Sequence, residues 1–151
     1  FVQTTSRFWE NDGLNGWGNS SLPEEIWQPS WDNTQTSGVL QSYLRGFAAE
    51  QFDLLSPAKQ IESLVQRLAP AFTDLAEQTI STHVHSWADE LWSGGAFAEP
   101  SASQEAALGG HVGRAEGRIH FAGEHASSFH AWIQGALESG IRAANEIHNA
   151  A

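Results

Sequence analysis

The chain has 151 residues, no cysteine and no methionine, and a formal net charge of −11 from 18 acidic and 7 basic residues. That balance argues against a nucleic-acid groove, which needs clustered Lys and Arg, and the absence of cysteine excludes a disulfide framework. No apolar run approaches the ~18 residues of a membrane-spanning helix, and the length suits one sizeable core.

Phe1 to Trp9 reads as a strand, with Thr4 and Thr5 typical of a pleated surface. Glu10 to Ser21 is rich in Asn and Gly and predicts turn and loop, with Trp17 packing over it. Ile26-Trp27-Gln28 predicts a short strand stopped by Pro29. A polar loop over 30–36 leads to a second strand from Gly38 to Leu44, ending at Gly46. Tyr43 is the sole tyrosine, and taken alone it reads as a half-buried strand phenol satisfied locally.

Ser56-Pro57 supplies an N-cap and first turn for a helix whose apolar face is Ile61, Leu64, Val65 and Leu68. Pro70 ends it, and a second short helix is expected from Ala71 to Gln78. Lys59, the only lysine, sits at the solvated helix start. Thr79 to Trp87 alternates and predicts a strand carrying His83-Val84-His85. Both rings would share one face, as a metal pair would, yet no third or fourth ligand stands at a recognisable spacing. Exposed strand histidines and no metal site are the expectation.

Trp92-Ser93-Gly94-Gly95-Ala96-Phe97 contains two consecutive glycines, which let backbone approach a planar ring closely. Residues 99–116 read as a loop. Gly117 to Glu124 predicts a short buried strand, with Ile119 and Phe121 alternating with His120, then a tight turn at Gly123 and an acid. From Trp132 to His148 a long helix is expected, with Ile133, Leu137, Ile141, Ala144 and Ile147 on one face. Gly135 and Gly140 interrupt it, each at a cost of about 1 kcal/mol. Two such glycines suggest a surface pressed against another backbone or a flat ligand. On pattern alone, a helix packed on a sheet and a cofactor site both remain open.

The run GRIHFAGEHASSFHAWIQGALESGIRAANEIH, residues 117–148, resembles the C-terminal FAD-binding signature of the flavin amine oxidases. Within it, HAWIQGALESGIRAA is most similar to the L-amino-acid oxidases. FVQTTSRFWENDG, LPEEIWQP and HSWADELWSGGAF resemble upstream family segments, so the likeness extends over most of the chain. The fold it implies is α/β (α+β overall). Residues 1–92 would form part of a mixed, largely antiparallel substrate-binding domain with a helical excursion. Residues 93–151 would complete a Rossmann-like FAD-binding domain.

The resemblance also implies roles. Gly95, Ala96, Gly123, Glu124, Ala131, Trp132 and Ile133 would border FAD, with Glu124 on the ribityl chain and the helix start at Trp132 and Ile133 on the pyrimidine edge. A helix N-terminus stabilises the negative charge that reduction places there. Covalent family members carry Cys-Tyr after the Gly-Gly; Ala96-Phe97 cannot form that thioether, so the FAD would be noncovalent. Tyr43, in Tyr43-Leu44-Arg45-Gly46, would help hold the substrate α-carboxylate, and Trp132 and Ala131 would line the substrate site. Ala131 stands where many relatives have Gly. Arg45 would point to the face opposite Tyr43. No residue is assigned as a catalytic acid or base, and His120, His125 and His130 read as structural.

The implied reaction is oxidative deamination of an L-amino acid, with hydride passing from Cα to the flavin, and with 2-oxo acid, ammonia and hydrogen peroxide as products. The chain contains no G-x-G-x-x-G fingerprint, and Lys59 does not match the family's flavin-side lysine. The expectation is therefore the C-terminal part of an enzyme matured by cleavage into associated chains, as in L-glutamate oxidases. The partners would be those other chains, an L-amino acid and oxygen, in a dimer of assembled protomers. An acidic, Trp-rich, cysteine-free chain is compatible with secretion, and a secreted protein is expected. Two alternatives compete: a non-catalytic secreted carbohydrate-binding module, and a flavin-dependent amine or polyamine oxidase.

Overall fold

The computed structural model describes residues 1–22 and 24–150. Pro23, within the LPEEIWQP stretch, lies outside the described residues. The chain divides into two compact units, Phe1–His85 and Ser86–Ala151; the sequence alone places the division at 92/93.

The first unit is built on an antiparallel sheet. Its strands are β1 (Val2–Thr4), β2 (Gly18–Asn19), β3 (Glu24–Trp27), β4 (Gly38–Leu44) and β5 (Thr79–Thr82), in the order β2-β3-β4-β1-β5. The β1 strand is short because Ser6-Arg7 turns the chain into a 3₁₀ helix at Phe8–Asp12. That turn brings Phe8 and Trp9 under the sheet. Trp9 is fully buried, edge-on to Phe8 at 5.3 Å and to Phe72 at 6.0 Å. Val2, Ile26, Leu40, Leu64, Leu68 and Leu75 complete the core.

Three helices follow β4. The expected helix after Ser56 is α2 (Pro57–Leu68), and α1 (Gly46–Asp53) precedes it where only a strand end was anticipated. Leu64 and Leu68 are the buried part of the α2 stripe, while Ile61 stays exposed. The short helix after Pro70 is α3 (Leu75–Gln78), beginning later than Ala71 because 71–74 form turns. Glu24 ties α2 to the sheet. Its buried carboxylate accepts from Arg67 at 3.2 Å and from Ser42 on the neighbouring strand. The alternation that predicts a strand to Trp87 ends at Thr82, because β1, its pairing partner, runs out at Val2.

Among its described residues the second unit contains two α-helices. The 99–116 stretch, expected as loop, holds α4 (Ala102–Leu108), started by a capping box in which Ser101 accepts from the Gln104 N–H and the Gln104 side chain accepts from the Ser101 N–H. That is the S-x-x-Q signature. The long helix is α5 (Ile133–Ala150). Ahead of it, a 3₁₀ turn spans Glu124–Ala126. Mixed sheet-and-helix architecture of the α/β class is thus present, with the sheet confined to the first unit among the described residues.

Two expectations for this unit are corrected. Residues 117–123 do not form a strand: a single bridge joins Glu116 to Ile119, and Ile119 is exposed. A buried strand needs neighbours on both sides, and this unit supplies none among the described residues. The apolar stripe of α5 is also not its buried face. Ile133, Leu137, Ile141 and Ile147 are 77, 62, 64 and 54% exposed, whereas Gly135, Ser139 and Ala143 are buried. The chain that α5 packs on within the unit comes so close that only small residues fit.

Candidate functional site

In the second unit the turn before α5 converges on Glu124. One carboxylate oxygen accepts the Ala98 N–H at 2.8 Å and the other the Ala131 N–H at 2.7 Å. Glu124 thus joins the segment just after Gly94-Gly95-Ala96-Phe97 to the start of α5. Each oxygen has a second lone-pair direction, so the carboxylate retains acceptor capacity for a ligand hydroxyl.

Gly123 sets the direction of Glu124. Its φ of 148° and ψ of 166° belong to a region that only glycine adopts readily, and a Cβ there would meet the His125 ring at 2.3 Å. Buried Ser139 holds this residue from the helix: the Gly123 N–H donates to Ser139 Oγ at 2.9 Å, and Oγ donates to the Gly123 carbonyl at 2.8 Å. Gly135 has a different reason. A Cβ on it would lie 2.3 Å from the Phe129 carbonyl and from Ser127 Oγ, so close backbone approach explains this glycine. Gly140 has open space around it, and no close approach accounts for it.

Arg142 fastens the rest of the loop. Its guanidinium donates to the carbonyls of Gly113 at 2.6 Å, Phe121 at 2.9 Å and Ala126 at 3.3 Å, and to Glu146 at 2.7 Å. His120 Nδ1 is 2.9 Å from the other Glu146 oxygen. The hydrogen bonds from His120 and Arg142 hold the Glu146 carboxyl below its ordinary range. His120 thus ties the 117–123 segment to α5 through Glu146. His125 and His130 line a cleft against α4 with Ala98, Pro100, Gln104 and Leu108.

At the helix start, Ala131 has a left-handed backbone with φ of 65°. A glycine would adopt this backbone without strain. Trp132 and Ile133 are exposed, and their N–H groups, with that of Gln134, have no acceptor among the described residues. Added Cβ atoms at Gly94 and Gly95 would meet nothing within 4 Å. Unclaimed helix N–H donors, an open glycine pair and a carboxylate with spare lone pairs suit the flat, polar-edged flavin.

The first unit carries Tyr43. Its ring stacks on Trp27 at 5.3 Å and 17°, and Trp27 in turn meets Trp17 at 6.2 Å. Partial burial raises the phenol pKa; nearby Arg45 opposes this and Glu25 adds to it. The group therefore stays a neutral donor. Glu25 faces Tyr43 across the β3–β4 register, accepts from Trp27 Nε1 at 3.1 Å and pairs with Arg45 at 2.7 Å. Arg45 thus reaches the Tyr43 side, against the expectation from strand parity. β4 ends at Leu44, and the long side chain folds back to the carboxylate opposite.

Sequence reading missed Glu25 and Trp27. The β3 pattern, with Glu24 and Ile26 buried and Glu25 and Trp27 half-buried, carries the signal once its register with β4 is known. Ser139 was missed because a serine inside a helix usually faces solvent. His83 and His85 lie beyond β5, and no group of three or more metal-ligating side chains suited to a metal ion occurs among the described residues.

The family model described as flavin containing amine oxidoreductase matches residues 1–148. This chain belongs to that family. It is 37% identical over 153 residues to YobN of Bacillus subtilis (strain 168), across 97% of the chain and 32% of that protein. It is 32% identical over 149 residues to the flavin-dependent L-tryptophan oxidase RebO of Lentzea aerocolonigenes, across 93% of the chain and 32% of RebO. A putrescine oxidase redesigned at its cofactor site by a double substitution superposes with a TM-score of 0.87 at 22% identity, across 98% of this chain and 34% of that one. That likeness shows the amine-oxidase fold. The chain spans about a third of the length of these relatives. Membership in an oxidoreductase family implies a flavin cofactor and displaces the carbohydrate-binding alternative.

Proposed function

We infer that this chain is the flavin-edge and substrate-carboxylate portion of an FAD-dependent L-amino-acid oxidase. The observation that carries the reading is Tyr43: a half-buried neutral phenol, held by stacking on Trp27, with no hydrogen-bond partner for its hydroxyl among the described residues. Such a donor suits a carboxylate that another cation already pairs. Sequence identity to an L-tryptophan oxidase over nearly the whole chain supports the same substrate class.

In this reading Glu124 would accept from cofactor hydroxyls, and the N–H groups of Trp132 and Ile133 would offer donors to a ring edge that becomes negative on reduction. Trp132 and Ala131 border the substrate. Ala96 offers no thiol, so the cofactor is held noncovalently. The chemistry supplied by bound FAD is two-electron oxidation, with oxygen as final acceptor and hydrogen peroxide as product. The organic products are a 2-oxo acid and ammonia. The protein orients the substrate; no side chain of this chain is assigned as a base.

Other segments would supply the dinucleotide fingerprint and the carboxylate-pairing arginine. Cleavage of a secreted precursor into associated chains is one way to assemble them. A denaturing gel of natively purified protein tests this: additional stoichiometric chains support it, and one long chain refutes it. L-Glutamate is the narrower substrate proposal. Its side-chain carboxylate needs a second cation, and Arg45, the cation beside Tyr43, is already engaged by Glu25 at 2.7 Å. A screen over all L-amino acids, read as peroxide release, is the experiment.

An amine or polyamine substrate is the second reading, favoured by the close fold match to a putrescine oxidase. An amine without a carboxylate gives Tyr43 nothing to hold. Putrescine in the same screen separates the two.

A further inference from the structure

We propose that Ser139 is a positioning residue for the flavin, acting through Gly123 and Glu124. This rests on the flavin reading above. The chain of contacts is continuous. Ser139 Oγ takes the Gly123 N–H at 2.9 Å and donates to the Gly123 carbonyl at 2.8 Å, so both polar backbone groups of one residue are held by one side chain. Gly123, at φ of 148°, is the pivot that aims Glu124. Glu124 spends one oxygen on Ala98 and the other on Ala131, at 2.8 and 2.7 Å. Two segments far apart in sequence, the one following Gly94-Gly95 and the one opening α5, are held in one frame by a single carboxylate.

Elementary chemistry explains why a serine is needed. A glycine in an open backbone region is the least restrained residue in a chain, so its conformation must be fixed from outside. A hydroxyl can accept and donate at once, which an alanine or cysteine at this buried place cannot match. Ser139 has a second carbonyl, that of Ala136, at 3.0 Å within its own helix. The hydroxyl proton therefore keeps a partner even when Gly123 moves away, and the Gly123 N–H is the group that loses most. Glu124 is thereby a strut as well as a ligand, and the donors at Trp132 and Ile133 are preorganised through it.

The test uses the flavin-loaded protein that contains this chain, comparing Ser139→Ala with Ala143→Gly. Ala143 is buried on the same face of α5. Its glycine variant weakens the helix without touching Gly123. Three readouts are taken: FAD dissociation constant, flavin midpoint potential and thermal unfolding. The expected result is that Ser139→Ala weakens FAD binding about tenfold and makes the midpoint potential more negative, while Ala143→Gly lowers thermal stability comparably and leaves both flavin readouts in place. Equal effects of the two variants on FAD binding and potential would reduce Ser139 to a packing role and overturn the proposal. So would an unchanged flavin in Ser139→Ala. If Ser139→Ala does not fold, Ser139→Cys, which keeps a small side chain but is a weak donor and acceptor, is compared with the wild type; unchanged flavin behaviour in Ser139→Cys overturns the proposal. A wild-type protein that carries no flavin would sink the flavin reading itself, a different failure seen before any variant is made.

Discussion

Glu124 Oε2 accepts the backbone N–H of Ala131 at 2.7 Å, and Ala131 holds a left-handed φ of 65°. The hydrogen bond explains how a residue with a Cβ is kept there. For L-residues the left-handed region costs roughly 1–2 kcal/mol, which the surrounding contacts offset.

Replacing Ala131 with glycine should therefore stabilise the protein, by about 0.5–1 kcal/mol after the extra chain entropy of glycine is charged. Urea unfolding of the two proteins measures it. A loss of stability would mean that the methyl group contributes packing that outweighs the strain.

Tyr43→Phe leaves the Trp27 stack intact and removes only the hydroxyl. KM for the preferred L-amino acid should rise about tenfold, as for one hydrogen bond to a charged group, with unfolding unchanged. Oxidation of a carboxylate-free amine analogue should be indifferent to the substitution. An equal effect on both substrates would remove Tyr43 from carboxylate binding.

Arg67→Met strands the buried Glu24 carboxylate, which keeps only Ser42 as a partner. Breaking one side of a buried pair costs roughly 3–5 kcal/mol. The double variant Arg67→Met/Glu24→Gln should recover most of that loss, and denaturant midpoints of the three variants check it.

Glu146 gives a pH signature. Its carboxyl is depressed below its usual 4.5 by hydrogen bonds from His120 and Arg142. A depressed carboxyl stabilises the fold above its unfolded pKa, and the contribution disappears as pH falls through the folded value. The stability gap between wild type and Glu146→Gln should be full at neutral pH and close on acidification below about 4.5. A gap that stays constant down to about pH 3 would mean that the Glu146 charge is not what stabilises the fold and that its carboxyl is not depressed.

Much of this architecture is legible in the sequence, and the failures have physical causes. Ser56-Pro57 and the Leu64/Leu68 spacing are local signals, and α2 follows them. The strand at Gly38–Leu44 likewise follows its own run of residues. The 117–123 segment failed because a strand is a relation between neighbours, and pattern alone does not supply them. The α5 stripe failed for the converse reason. Its large residues mark a face with no cover in this unit, while the contact is made by Gly135, Ser139 and Ala143, whose smallness reads as weak patterning. Tyr43 and Glu124 were picked out by family likeness. Their partners, Trp27, Glu25, Ala98 and Ser139, emerge only from register and through-space contact. Ser101-x-x-Gln104 was readable, and the small, polar surroundings masked it.

The most direct test is peroxide release by natively purified protein containing this chain, supplied with each L-amino acid, each D-amino acid and putrescine. The account predicts a yellow protein whose peroxide output depends on an L-amino acid and is absent with D-isomers and putrescine. Peroxide from putrescine alone, or a colourless protein inert to every substrate, would contradict it.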